Sequence, residues 1–246
     1  MRVKRYFRYL LFLSLLFIIA LANVSEVNAM NTGFQVTPLP TGEKTDFATN
    51  VNIQLISEEP PKQPIVCFDV NDNGLIAIGQ KTSHPPKICV YSSEGIFQYG
   101  YTFECVGNFY VEWDKETINI YFVRDDVIVS VNPSGKILDV CRVDATDEKI
   151  SFKKVLSQNT QKTVKETKYY IRNHLGIFNL FASSYSQMVI QDGSGAENII
   201  YDVNSKQYVK MVVTAIIVCA FVVVAVVVVS RQFTHTRERF SCVKQK

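Results

Sequence analysis

The chain has 246 residues, 47% of them hydrophobic, six cysteines and a formal net charge of +3. The charge is uneven: residues 1–29 carry net +3, residues 231–246 carry net +4, and the stretch between them holds 17 basic and 21 acidic side chains. That distribution argues against a nucleic-acid-binding surface, and the basic ends read as membrane topology signals.

At the N-terminus a basic start (MRVKRYFR) precedes an apolar run over residues 9–22 and the small-residue sites Ala20-Leu21-Ala22 and Val27-Asn28-Ala29. This is the pattern of a secretory signal peptide over 1–29, cleaved after Ala29. An uncleaved signal anchor is the alternative, and both place the following domain outside. Residues 30–63 read as a stalk-like lead-in broken by Pro38, Pro40, Pro60 and Pro61, with one pairing strand at residues 51–56 (VNIQLI).

From Pro64 to about residue 205 short apolar or alternating runs are separated by turn signals every eight to twelve residues, the mark of an antiparallel all-β domain. Within it ICVYSSEGIF (88–97) aligns without a gap on IVSVNPSGKI (128–137) at a spacing of 40, and MVIQDGSGAE (188–197) follows 60 residues after the second. Upstream of these, FDVNDNGLIAIG and VEWDKETINIYF correspond as hairpins, and YYIRNHLGIFNLF is a weaker third copy. A unit of about 40 residues is the size of a four-stranded propeller blade. The pattern of strand, D-N-G turn, strand and a closing hairpin resembles β-propeller blades of the NHL and six-bladed type, over residues 64–202. The resemblance implies about three propeller-like blades, not all complete, where a closed ring uses four or more. An open stack, closure by the N-terminal strand and closure by a partner chain all remain as arrangements.

Residues 144–167 (DATDEKISFKKVLSQNTQKTVKET) interrupt the repeat. Polar and lysine-rich, they read as a solvated loop or edge hairpin, with a lysine patch for anionic glycan or lipid headgroups as the sharper alternative.

Few residues suggest chemistry. Asp69, Asn71 and Asn73 match the first half of a calcium loop, D-x-N-x-N-G-x-I, yet Gln80 stands where the bidentate Glu belongs, and an Asn-Gly hairpin turn explains the same letters. The adjacent acids Glu58-Glu59 and Asp125-Asp126, read as strand neighbours, point to opposite faces and make no acid–base couple. His84, His174 and His235 share no catalytic spacing. Trp113 reads as core, with sugar stacking as the alternative. Cys67, Cys89, Cys105 and Cys141 permit two disulfides in three pairings, or four small core residues. No catalytic residues, cofactor or metal beyond the weak calcium candidate are expected.

The twenty residues beginning at Met211 and ending at Ser230 carry no charge and include ten valines. As a helix they reach roughly 30 Å, the thickness of a bilayer core. Lipid enforces helix here despite the valines, because an open backbone would leave its polar groups unpaired. A basic tail, 231–246, follows on the cytoplasmic side.

The sequence thus predicts an all-β, antiparallel ectodomain on one C-terminal transmembrane helix. The expected role is a membrane-anchored extracellular binding or assembly module for a protein or glycan. Its expected partners are the lipid bilayer and that protein or glycan, and not nucleic acid. The alternatives are an accessory subunit of a membrane complex, with Ala215, Ala220 and Ala225 as small packing residues, and an extracellular glycan-active enzyme, which needs two converging carboxylates.

Overall fold

The computed structural model describes residues 30–80 and 85–243, with side chains as far as Val227. The expected signal peptide, His84 and the side chains of the basic tail, His235 among them, lie outside the described residues. The chain divides into two units, Met1–Asn31 and Thr32–Lys246, and the elements below belong to the second.

The second unit begins with strand β1 (Val36–Pro38), helix α1 (Thr41–Val51) and strand β2 (Gln54–Ile56). The lead-in is therefore not a stalk. Phe34, Leu39 and Val51 are buried, β2 pairs with the first meander, and β1 pairs with the second. Pro40 precedes the helix without a side-chain cap, and Asn52 ends it in the left-handed region at φ 47°.

Three four-stranded antiparallel meanders follow. The first is β3 (Ile65–Val70), β4 (Ile76–Gln80), β5 (Lys87–Tyr91) and β6 (Phe97–Thr102), with β2 added beside β6. The second is β7 (Phe109–Asp114), β8 (Thr117–Phe122), β9 (Val127–Val131) and β10 (Ile137–Val143), with β1 added beside β10. After helix α2 (Asp147–Gln158), the third is β11 (Gln161–Val164), β12 (Thr167–Arg172), β13 (Gln187–Gln191) and β14 (Glu197–Asp202). The sheets do not close into a ring.

The first sheet lies between the other two. Ala77, Ile88, Val90 and Tyr101 on one face join a core with Val111, Ile118, Ile120 and Val129 of the second sheet. Phe68, Ile76, Ile78 and Cys89 on the other face join Tyr169, Ile171, Met188 and Tyr201 of the third. Burial on both faces is why IVCFDV and KICVY are near-continuous apolar runs rather than alternating ones.

The repeated Gly turns have one geometry, used four times. A side-chain oxygen of Asn71, Ser92, Asn132 or Asp192 accepts backbone N–H groups two and four residues ahead, at 2.9–3.4 Å. The glycine three residues ahead sits at φ between +79° and +87°, where a Cβ would be strained. Asn and Asp, and more weakly Ser, favour such turns because their side chains replace a backbone acceptor.

The lysine-rich interruption is a structured part of the fold. Thr146 accepts the Lys149 N–H as N-cap of α2, and the acids Asp147 and Glu148 occupy the first turn. The helix covers the second sheet, with Phe152 edge-on to Phe34 at 4.7 Å and Lys149 paired to Asp126 at 2.8 Å. The rest of the stretch is β11 and its turn into β12, so part of the expected edge hairpin is present. The third meander accordingly starts at Gln161, and YYIRNHLGIFNLF is not its first hairpin. Asp125 and Asp126 lie in the β8–β9 turn, not in a strand; Asp126 is at φ 53° and accepts the Tyr121 hydroxyl at 2.8 Å.

Helix α3 (Asn204–Val243) follows β14 after Val203 alone. Its stretch Asn204–Val227 is long and apolar enough to cross a membrane: an 18-residue window within it has a mean hydropathy of 2.8 and no buried residue.

Candidate functional site

The first strands of the three meanders, β3, β7 and β11, lie side by side, and their C-terminal ends bring three hairpin turns together. Two of these turns are the same tripeptide. Lys115-Glu116-Thr117 joins β7 to β8 and Lys165-Glu166-Thr167 joins β11 to β12, each as a two-residue loop whose lysine lies in the left-handed region at φ 55°. The β3–β4 turn, residues 71–75, stands beside them, and Asn71 Nδ2 donates to Lys115 O at 3.4 Å.

Asp69, near the end of β3, links the three strands. Its Oδ2 accepts the Trp113 backbone N–H at 2.8 Å and its Oδ1 accepts Lys162 Nζ at 2.6 Å. Trp113 Nε1 also donates to the Asp69 carbonyl at 3.2 Å. Asp69 is buried, whereas Lys162 remains 37% exposed. A buried carboxylate is tolerated here because both oxygens have donors, one of them charged.

Above this junction two shallow clefts flank the β3–β4 turn. One, about 290 Å³, is lined by Val70, Asn71, Asp72, Asn73, Trp113, Lys115, Glu116 and Lys162. The other, about 300 Å³, lies between the same turn and the third sheet, reaching Ser93, Lys165, Tyr169 and Asp192. Both carry charges of each sign and one aromatic ring. Such a surface suits hydrogen-bonded recognition better than burial of an apolar ligand.

No protein-family model and no curated protein matches this chain.

The structure brings Asp69, Asn71, Asn73 and Trp113 into one neighbourhood, where Asp69 and Asn71 make hydrogen bonds within the protein. Asp69 is committed to Lys162 and Trp113, and Asn71 Oδ1 accepts the N–H of Asn73 and Leu75 in the shared turn. Among the described residues no group of three or more His, Cys, Asp or Glu is arranged to hold a metal ion. Trp113 is half-buried against the core and lines the cleft as well. His174 lies elsewhere, its backbone N–H on Asn204 Oδ1 at 3.3 Å. Glu59, from the other adjacent pair, accepts the Tyr91 hydroxyl at 3.1 Å.

Lys162 is the residue that sequence reasoning missed. The signal was present: QKTVKETKYYIR (161–172) aligns with VEWDKETINIYF (111–122) on the shared KET, at an offset of 50 residues. Cys67, Cys89 and Cys141 are buried free thiols, and the buried Cys105 directs its thiol to Gly107 O at 3.7 Å, so these four behave as core residues.

Proposed function

We propose that this protein is a single-pass membrane-anchored binding or assembly module, held by α3 with its sheets on the outer side. In this reading the three meanders are propeller-type blades in an open stack. The turn face around Asp72, Asn73, Lys115 and Glu116 recognises a protein or glycan. The supporting observation is the convergence of three first-hairpin turns on one clefted, mixed-charge face braced from below by Asp69. Proteins commonly place binding residues on loops held by a rigid scaffold. Asp69 itself, with both oxygens engaged in joining strands, is better suited to bracing than to proton transfer.

The test uses the full chain in detergent micelles on glycan arrays and in crosslinking to candidate surface proteins. The triple variant Asp72→Ala, Lys115→Ala, Glu116→Ala is carried in parallel. These side chains are exposed, so the fold is expected to survive and binding to be lost. Binding retained by the variant at the same affinity would move the recognition surface elsewhere.

A further inference from the structure

Helix α3 is joined to the β domain without a flexible linker. Asn204 Oδ1 accepts Ser186 Oγ at 3.0 Å, buried Gln207 donates to Ser184 O at 3.2 Å, and the Tyr208 ring meets Phe178 edge-on at 5.7 Å. These contacts all run to the connection between β12 and β13. That connection carries a 3-10 turn, Gly176–Phe181, of sequence GIFNLF. Ile177, Leu180 and Phe181 are 79%, 88% and 76% exposed, more than any other large apolar side chain among the described residues.

A groove of about 580 Å³ separates this turn from the helix, with Phe178 and Phe181 on one wall and Met211, Ala215 and Cys219 on the other. From Met211 to Cys219 the helix rises about 12 Å. The turn therefore runs beside the first part of the apolar stretch that matches a bilayer in length.

Resting on the reading that α3 crosses the membrane, we propose that Gly176–Phe181 is a second membrane-inserted element. Ile177, Leu180 and Phe181 enter the outer leaflet beside the span, and the groove takes a lipid acyl chain. The bilayer is the occupant that the geometry favours, because the exposed side chains lie alongside residues that lipid already surrounds. The backbone is suited to that setting, where unpaired donors are costly. Leu175 N–H donates to Asn179 Oδ1 at 2.9 Å, Phe178 N–H to Leu175 O at 3.2 Å, and Ala182 N–H to Asn179 O at 3.4 Å. Two attachment points, one helical and one a loop, fix the tilt of the sheets above the membrane.

The experiment uses the full chain with Cys219→Ser and Cys242→Ser in phosphatidylcholine nanodiscs. Single cysteines, Leu180→Cys, Val222→Cys or Ile150→Cys, carry an environment-sensitive fluorophore, with and without lipids bearing acyl-chain nitroxides. The expected result is blue-shifted emission, lost to the nitroxide, at positions 180 and 222, and neither effect at 150. Quenching at 222 without quenching at 180 overturns the inserted turn and leaves the span intact. No quenching at 222 overturns the span, and this proposal with it. A blue shift at 180 that the nitroxide does not quench means that protein covers the turn, which also overturns the proposal.

Discussion

Lys162 Nζ stands 2.6 Å from Asp69 Oδ1 and so joins the edge strand of the third sheet to the first strand of the first. The other oxygen of the same carboxylate holds the second sheet through the Trp113 N–H. Removing one partner of a well-buried ion pair costs about 3–5 kcal/mol. The 37% exposure of Lys162 lets water replace part of the loss. Asp69→Ala is expected to cost about 2–3 kcal/mol, and Asp69→Asn, which keeps an acceptor for Trp113, about half as much. Trp113 is the chain's one tryptophan, so its fluorescence during denaturant unfolding reports on this junction. A midpoint shift no larger than that of Asp147→Ala, on the exposed start of α2, would show that the junction contributes little.

The shared turn geometry makes a sharper comparison between Gly95 and Gly195. Both glycines lie in the left-handed region, at φ +79° and +87°. A Cβ on Gly195 meets nothing within 4 Å, whereas one on Gly95 would stand 3.0 Å from the Ile200 carbonyl oxygen. Gly195→Ala therefore carries only the conformational cost, about 1 kcal/mol. Gly95→Ala adds a clash with the backbone of β14 and is expected to cost at least about 1 kcal/mol more. Equal unfolding midpoints for the two variants would contradict the packing of the β5–β6 turn on β14.

These turns also mark what was legible beforehand. The three-residue spacing from a small polar residue to glycine is set locally by hydrogen bonds, so it survives in the letters. Strand texture is legible for the same reason, as side-chain alternation and β-branching are local. The α1 helix was hidden because TGEKTDFATNV buries only Val51 and contains Gly42 and three threonines; its stability comes from packing, including the Phe47 ring against Phe122 at 5.5 Å. Helix α2 was hidden in the same way, since none of its residues is fully buried. The KET alignment marks the hairpin that carries Lys162, but its pairing with Asp69, 93 residues earlier, was hidden because only the stacking of the sheets creates it.

Two carboxylates should make stability respond to pH in opposite senses. Burial alone would raise the Asp139 pKa, but the Lys44 ammonium at 2.6 Å and the Val140 N–H outweigh it and hold the carboxyl below its usual range. The contribution of Asp139 is thus present above an unfolded value of about 3.9 and lost as pH falls through the lower native value. With both side chains partly exposed it amounts to no more than about 1 kcal/mol. Glu112 is the reverse: burial raises its pKa despite hydrogen bonds from Thr32 Oγ1 and the Gly33 N–H. Its contribution is full below about pH 4.3 and lost as pH rises through the raised native value. Denaturant midpoints between pH 3 and 8 should therefore show Asp139→Asn flattening the acid limb. Glu112→Gln should leave stability at pH 7 unchanged or raise it by about 1 kcal/mol, and a large loss at pH 7 would reverse this assignment.

The cysteines allow the last prediction. Cys67 belongs to the core between the first and second sheets, and Cys89 to the core between the first and third, so the two occupy opposite faces of one sheet. A bond between them would require one strand to turn over, which shifts every side chain on it to the wrong face. Burial pushes each thiol up to about 12, well above the value of a free cysteine. At pH 8 the reactive thiolate is then about one part in ten thousand, and alkylation has to wait for local opening. Iodoacetamide is expected to leave Cys67 and Cys89 unmodified in the native protein and to modify both after denaturation, with intact mass as the readout and no reductant added. Denatured protein that stays two alkyl groups short until a reductant is supplied would reveal a disulfide and require the strand register of the first sheet to be redrawn.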